Sequence, residues 1–381
     1  MKFVHLSDLH IGKKLLGYSL TDDQEHILGQ ILSIIRDEKP DAVLIAGDVY
    51  DKSVPSGDAV LLFDQFLTDL TGLTGRVFVS AGNHDSAERL SFGRRLIAPS
   101  GALIAPVFEG AMPPALLHDG YGEVAVYMLP FIRSGDGRRA FPDEAIQSTD
   151  AAVRAVIRHM DVDPGRRNVL IAHQYVTGAV TSDSETMFVG GTDGVVMDAF
   201  EPFDYVALGH LHKPQFVGRE SVRYCGAPLK YSIEERDSDK SVTVVELGEK
   251  GSVLIREVPL RPLRELRQLR GTYDELAAYA FNPDDPAFSR DDYIHAVLTD
   301  ENDVPDAMAR LRAVYPRLLK ISYDNARTRS GGVIEPRAET MRLEGVDLFA
   351  EFYQMQNGQP LSDEQRTYAE SLFREAGEDL I

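Results

Sequence analysis

Five short clusters in this chain are built from residues that bind metal ions and move protons. They are Asp8-Leu9-His10, Gly47-Asp48, Gly82-Asn83-His84-Asp85, Ala172-His173-Gln174 and Gly209-His210-Leu211-His212. Carboxylates, a side-chain amide and imidazoles together suit manganese, iron or zinc better than magnesium or calcium. Thiolates are missing from the set, which disfavours a structural zinc site. If the clusters meet, the chemistry is that of a two-metal site, and two metals in one site commonly hydrolyse a phosphate ester.

The spacing within each cluster suggests roles. Asp8 and His10 are two apart, so on an extended segment both point to one face. Asp48 follows a glycine, which lets the backbone bend and approach closely; its two oxygens make it the expected bridge. Asn83 offers a neutral oxygen. His210 and His212 straddle one residue and could face different ions. The expected division puts Asp8, His10, Asp48 and His212 on one ion, and Asp48, Asn83, His173 and His210 on the other. His84 is next to a ligand and is expected to stabilise developing charge or protonate the leaving oxygen. Asp85 is expected to orient His84.

Such a site needs elements that bring distant residues together. Each cluster ends a short apolar run: residues 3–6, 42–46, 77–80, 169–172 and 205–208. Nearly continuous apolar runs are expected of strands covered on both faces, and the ends of such strands converge at one edge of an open sheet. Residues 124–129 read as another strand. Helical patterns fall at 22–38, 58–71 and 151–160; the first places Ile27, Ile31, Ile34 and Ile35 on one face and stops before Pro40. Three further runs, 222–225, 242–247 and 253–258, read as antiparallel strands closing a second sheet. The expected fold class is α/β.

A boundary falls near Pro259-Leu260-Arg261-Pro262, giving a first domain over 1–260. A small α+β module is expected over 261–325, with helices at 273–279 and 304–315 and strands at 292–298 and 318–322. Residues 325–336 read as a linker. The tail, 340–381, is expected to hold two amphipathic helices, the first carrying Val346, Phe349, Phe352 and Tyr353 and the second Tyr368, Leu372 and Phe373. Ser362-Asp363-Glu364-Gln365 is a capping-box pattern for the second helix.

Composition bounds the reading. The 381 residues are 43% hydrophobic and 26% charged, the profile of a globular protein. No apolar run approaches the roughly 20 residues of a membrane-spanning helix, so no membrane association is expected. Cys225 is the one cysteine, so no internal disulfide forms and a reducing, cytoplasmic location is expected. The net charge of −20 argues against a basic nucleic-acid surface. Bound divalent cations would reverse the local sign where a phosphate must land.

The clusters resemble those of the calcineurin-like metallophosphoesterase superfamily over roughly the first 260 residues. Longer stretches narrow the resemblance. Ser7-Asp8-Leu9-His10-Ile11-Gly12, Gly47-Asp48-Val49-Tyr50-Asp51, Gly209-His210-Leu211-His212-Lys213-Pro214-Gln215 and Tyr224-Cys225-Gly226-Ala227-Pro228-Leu229 are similar to the SbcD nuclease family. So is Ser182-Asp183-Ser184-Glu185 followed by Val189-Gly190-Gly191. The sequence departs from the pattern at Asp51, where archaeal and eukaryotic relatives often carry a histidine, and at Ala227, where serine is common. The resemblance implies a metallophosphoesterase four-layer α/β sandwich with a small α+β capping domain and C-terminal helices. It implies an ATP-regulated exonuclease and endonuclease on double-stranded DNA ends and hairpins, with two manganese ions as cofactor and iron or zinc as alternatives. It also implies a homodimer whose C-terminal helices bind an SbcC-type coiled-coil ATPase. Two other readings compete. A small-molecule phosphodiesterase would need neither capping module nor tail helices, and a scaffold without chemistry would lack ligands.

Overall fold

The computed structural model describes residues 1–181, 194–329, 345–357 and 360–378. It divides into two compact units, Met1–Leu263 and Arg264–Ile381. The family-like stretch Ser182-Asp183-Ser184-Glu185 with Val189-Gly190-Gly191, and residues 330–336 of the expected linker, lie outside the described residues.

Two six-stranded sheets form the centre of the first unit. The first sheet runs, edge to edge, Val253–Pro259, Ser241–Leu247, Lys2–Leu6, Ala42–Ala46, Val77–Ser80 and Ala102–Ile104. The second runs Gln215–Val217, Arg219–Tyr224, Tyr205–Gly209, Arg167–His173, Gly122–Leu129 and Ala115–Asp119. The central strands of both are parallel, with Phe3 opposite Ala42, Val43 opposite Val77 and Gly209 opposite His173. The sheets bury one face against each other through Phe3, Leu44, Phe78, Val126, Ile171, Tyr205 and Ala207. The outer face of the second sheet packs under helix Thr149–His159 through Val153, Val156, Leu170 and Val206. Helices Thr21–Glu38 and Gly57–Leu73 bury Ile27, Ile31, Ile35, Phe66 and Leu70. The result is the α/β sandwich that the apolar runs imply.

Local chemistry fixes the helix ends. Ser56 and Ser148 cap their helices by accepting from the backbone N–H of Ala59 and Ala151. Lys39, left-handed at φ 48°, stops the first helix ahead of Pro40.

One sequence expectation is corrected. The three late runs do not close one sheet together. Ser241–Leu247 and Val253–Pro259 complete the first sheet as antiparallel strands, whereas Arg219–Tyr224 joins the second, parallel to Tyr205–Gly209. An apolar run shows that a strand will be buried but not which open edge it fills. Strand Lys2–Leu6 is buried on both faces, and Ser241–Leu247 supplies its second row of hydrogen bonds.

The second unit holds three parallel strands, Leu266–Gly271, Tyr293–Leu298 and Leu318–Tyr323, linked through helices Tyr273–Tyr279 and Ala307–Arg312. Its core includes Leu276, Ile294, Leu298, Leu311 and Tyr315. A short helix, Ala326–Arg329, occupies the start of the expected linker. The tail forms helices Gly345–Asn357 and Asp363–Glu378. The Ser362 backbone N–H donates to Gln365 and the Gln365 N–H to Ser362, closing the capping box. Among the described residues no helix is long and apolar enough to cross a membrane.

Candidate metal centre

All five clusters lie at the carboxyl ends of parallel strands, and the structure brings their side chains to one place. Asp8 and His10 follow Lys2–Leu6, Asp48 follows Ala42–Ala46, and Asn83 and His84 follow Val77–Ser80. His173 ends its strand, and His210 and His212 follow Tyr205–Gly209. Backbone bonds stitch the loops together: the Asp8 N–H donates to Gly47 O at 3.0 Å and the His10 N–H to Asp48 O at 2.9 Å.

The loops turn abruptly. Asp8, His10 and Asp48 hold positive φ of 52°, 43° and 49°, and His210 holds 108°. Side chains rarely adopt this region, which costs about 1–3 kcal/mol per residue where the surroundings enforce it. Four such residues in one pocket show that the fold holds these groups against local preference. Glycine is required where the backbones crowd. A Cβ at Gly47, itself at φ 85°, would stand 2.4 Å from His173 Nδ1, and one at Gly209 would stand 1.9 Å from Ala46 O.

Three groups of potential ligand atoms each fall within 4.8 Å: Asp8, His10 and His212; His10, Asp48 and His84; and Asp8, Asp48 and His173. Asn83 Oδ1 lies 3.1 Å from His173 Nε2 and 2.9 Å from His210 Nδ1. His10 Nε2 faces His212 Nε2 at 3.1 Å. The seven residues expected to bind metal therefore lie together, linked through Asp8, Asp48 and Asn83, and all but Asn83 are buried.

The electrostatics favour a cation. His173 Nδ1 donates to Ala46 O at 2.7 Å, which spends the proton of a neutral ring. Its Nε2 then meets three oxygens, Asn83 Oδ1 at 3.1 Å, Asp48 Oδ2 at 3.3 Å and Asp8 Oδ1 at 4.0 Å. A lone pair among three acceptors is repulsive unless positive charge sits between them. Burial alone would push His173 down, but Asp48 and Asp8 raise it to about 9, so a proton is drawn to the position a metal ion would take. Burial drives His10 well below its ordinary value and His210 down to about 3, leaving both neutral as ligands must be. His10 Nδ1 is buried and, among the described residues, has no hydrogen-bond partner, the nearest carboxylate oxygen being Asp51 Oδ1 at 3.8 Å. Burial raises Asp8 to about 6, against the pull of His173 and His212. Asp48 is buried too, yet His173 and its neighbouring imidazoles hold it low. These donors fit divalent cations.

The structure corrects one assignment. Asp85 does not orient His84. Its carboxylate accepts from the backbone N–H groups of Val49 (3.1 Å), Tyr50 (2.9 Å) and Gly82 (2.9 Å), tying two ligand loops together. His84 Nδ1 instead donates to the carbonyl of Asp51 at 2.9 Å. Adjacent residues in so tight a turn diverge, so the next acceptor in sequence is not the next in space. Asp51 also accepts from Lys13 Nζ at 2.8 Å. Two further residues carry no signal in the sequence. Glu235 Oε1 lies 3.2 Å from His212 Nδ1, and Lys240 Nζ lies 2.5 Å from Glu235 Oε2.

The calcineurin-like phosphoesterase family matches residues 1–214, and a family described as the type 5 capsule protein repressor C-terminal domain matches 262–357. Among curated proteins the chain is similar to the SbcD component of the SbcCD nuclease of Staphylococcus epidermidis, 32% identical over 374 residues and covering 96% of each chain. It is also similar to the SbcD component of the SbcCD nuclease of Staphylococcus saprophyticus, 29% identical over 378 residues and covering 98% of each. A solved dimetal phosphatase from Danio rerio aligns at 12% identity with a TM-score of 0.38, covering 69% of this chain and 98% of that one. With its histidines and aspartates gathered at the strand ends and its identity to these relatives along nearly its whole length, the chain belongs to the calcineurin-like phosphoesterases and, among them, to the SbcD nucleases.

Proposed function

We propose that this chain is the nuclease subunit of a two-protein complex that trims double-stranded DNA ends and opens hairpins, working with an SbcC-type coiled-coil ATPase in repair and recombination. The observation that carries the proposal is the convergence of seven potential ligands, Asp48 among them, in a chain related along nearly its whole length to the SbcD component of the SbcCD nuclease. Asp8, His10, Asp48 and His212 would hold one ion, and Asp48, Asn83, His173 and His210 the other. Manganese is the proposed metal, with iron and zinc meeting the same donor preferences. Bound there, a metal pair acidifies a water and offsets charge on the phosphodiester.

The protein's own groups supply the rest. The His84 Nδ1 proton is committed to Asp51 O, so a second proton on this ring sits on Nε2. The imidazolium can give that proton to the departing sugar oxygen and keep its bond to Asp51 throughout. Asp85 holds the Val49, Tyr50 and Gly82 backbone in place and acts on the ligand loops rather than on substrate.

The chain is proposed to work as a homodimer in the cytoplasm, a location in keeping with a single buried cysteine. Val60 (44%) of helix Gly57–Leu73 and Phe92 (87%), which follows the Gly82–Asp85 loop, are exposed and line one groove, which supports this face as the dimer contact. A blunt linear duplex incubated with the protein, its ATPase partner, Mn²⁺ and ATP should be degraded, and Asp48→Ala should abolish degradation. Equal loss of duplex with Asp48→Ala would overturn the proposal.

A further inference from the structure

We propose that Glu235 and Lys240 form a buried clamp that positions His212 for its metal ion, an inference that rests on reading the Asp8–His10–His212 group as a metal site. Glu235 sits in a short 3-10 turn, Ile233–Asp237, and is 3% exposed; Lys240 is 6% exposed. The pair holds His212 at two points. Glu235 Oε1 takes the ring Nδ1–H at 3.2 Å. Lys240 Nζ donates to the His212 main-chain carbonyl at 2.9 Å and to Glu235 Oε2 at 2.5 Å.

The clamp has a chemical consequence. An imidazole ligand must offer a lone pair, and a carboxylate on Nδ1 fixes the tautomer that leaves Nε2 bare. That Nε2 is the atom facing His10 Nε2 at 3.1 Å. Without the acceptor the ring can flip or change tautomer and present an N–H to the ion instead. The same turn also braces the ligands sterically. The Tyr231 N–H donates to Glu235 Oε1 at 3.3 Å, and the Tyr231 ring stands edge-on to His10 and His212 at 5.3 and 5.6 Å. A buried Glu–Lys pair contributes little net stability compared with apolar residues of similar size. Its use here is therefore in what it holds. Glu235 is a positioning residue, because it acts through His212.

The test is Mn²⁺ titration of the full chain followed by electron paramagnetic resonance, which reads binding rather than turnover. Glu235→Leu with Lys240→Met removes the clamp, keeps the volume and strands no buried charge. This variant should bind one Mn²⁺ as the wild type does and the second about 10–100-fold more weakly. Glu235→Gln with Lys240→Met keeps an acceptor for Nδ1 and should restore the second site. Two Mn²⁺ bound with wild-type affinity by the Leu/Met variant would overturn the clamp and leave the metal centre standing. A wild-type chain that binds no Mn²⁺ would overturn both.

Discussion

His84 is one residue from Asn83 in sequence, yet the two do different things. The Asn83 oxygen points among the imidazoles of His173 and His210, while the His84 ring turns to the Asp51 carbonyl and stands edge-on to His10 at 4.7 Å. His84→Gln should therefore leave Mn²⁺ binding intact and lower turnover by about 10²–10⁴-fold, the usual worth of a positioned acid. Elemental analysis of the variant checks the first half, and loss of bound metal would assign His84 to the ligands. At this scale residue type and strand-end placement are legible in the sequence, because Asp, Asn and His after an apolar run have few structural uses. Partnerships are not. Asp85 reads as the support of His84 because it is next in sequence, and Glu235 escapes notice because a turn in a polar stretch carries no strand-end pattern.

At the scale of elements, the site depends on strands whose ends approach more closely than side chains allow. Gly47→Ala puts a methyl into the space of His173 Nδ1 on a backbone already at φ 85°. The expected cost is about 1–3 kcal/mol of stability from the strained backbone, with His173 displaced and the Asn83–His173–His210 site weakened. Denaturant melts and Mn²⁺ titration of this variant check both effects, and unchanged affinity would show that His173 is not a ligand. The buried parallel strands are readable as continuous apolar runs because both faces are covered. Strands Leu266–Gly271 and Ala115–Asp119 are not, because exposed residues alternate with partly buried ones and the runs mix charge with leucine. The pairing of the late strands is hidden for a different reason: sheet membership is decided by which edge remains open, a long-range property.

Over the whole molecule, charge and modularity set the expectations. A chain of net charge −20 does not attract duplex DNA by itself. The tail helices expose Leu348 (43%), Phe352 (52%), Tyr368 (67%) and Leu372 (46%), the apolar surface proposed to meet the ATPase partner. Deleting 340–381 should leave hydrolysis of a small chromogenic phosphodiester unchanged and abolish both partner binding and ATP-dependent digestion of duplex. Retained partner binding would mean that the helices serve their own unit. Metal should also be felt as stability. Mn²⁺ at about a hundred times its dissociation constant adds about 2.7 kcal/mol per site, which should raise the melting temperature by about 5–10 °C in a unit of this size. Chelation should reverse the shift.

Distant loop tips are proposed to grip a pair of cations around one shared carboxylate. Anomalous diffraction from Mn²⁺-loaded crystals would locate those cations. Two peaks about 3.5–4 Å apart are expected, both within bonding distance of Asp48, one beside His212 and the other beside His173. A single peak, or peaks that leave Asp48 untouched, would contradict the proposal.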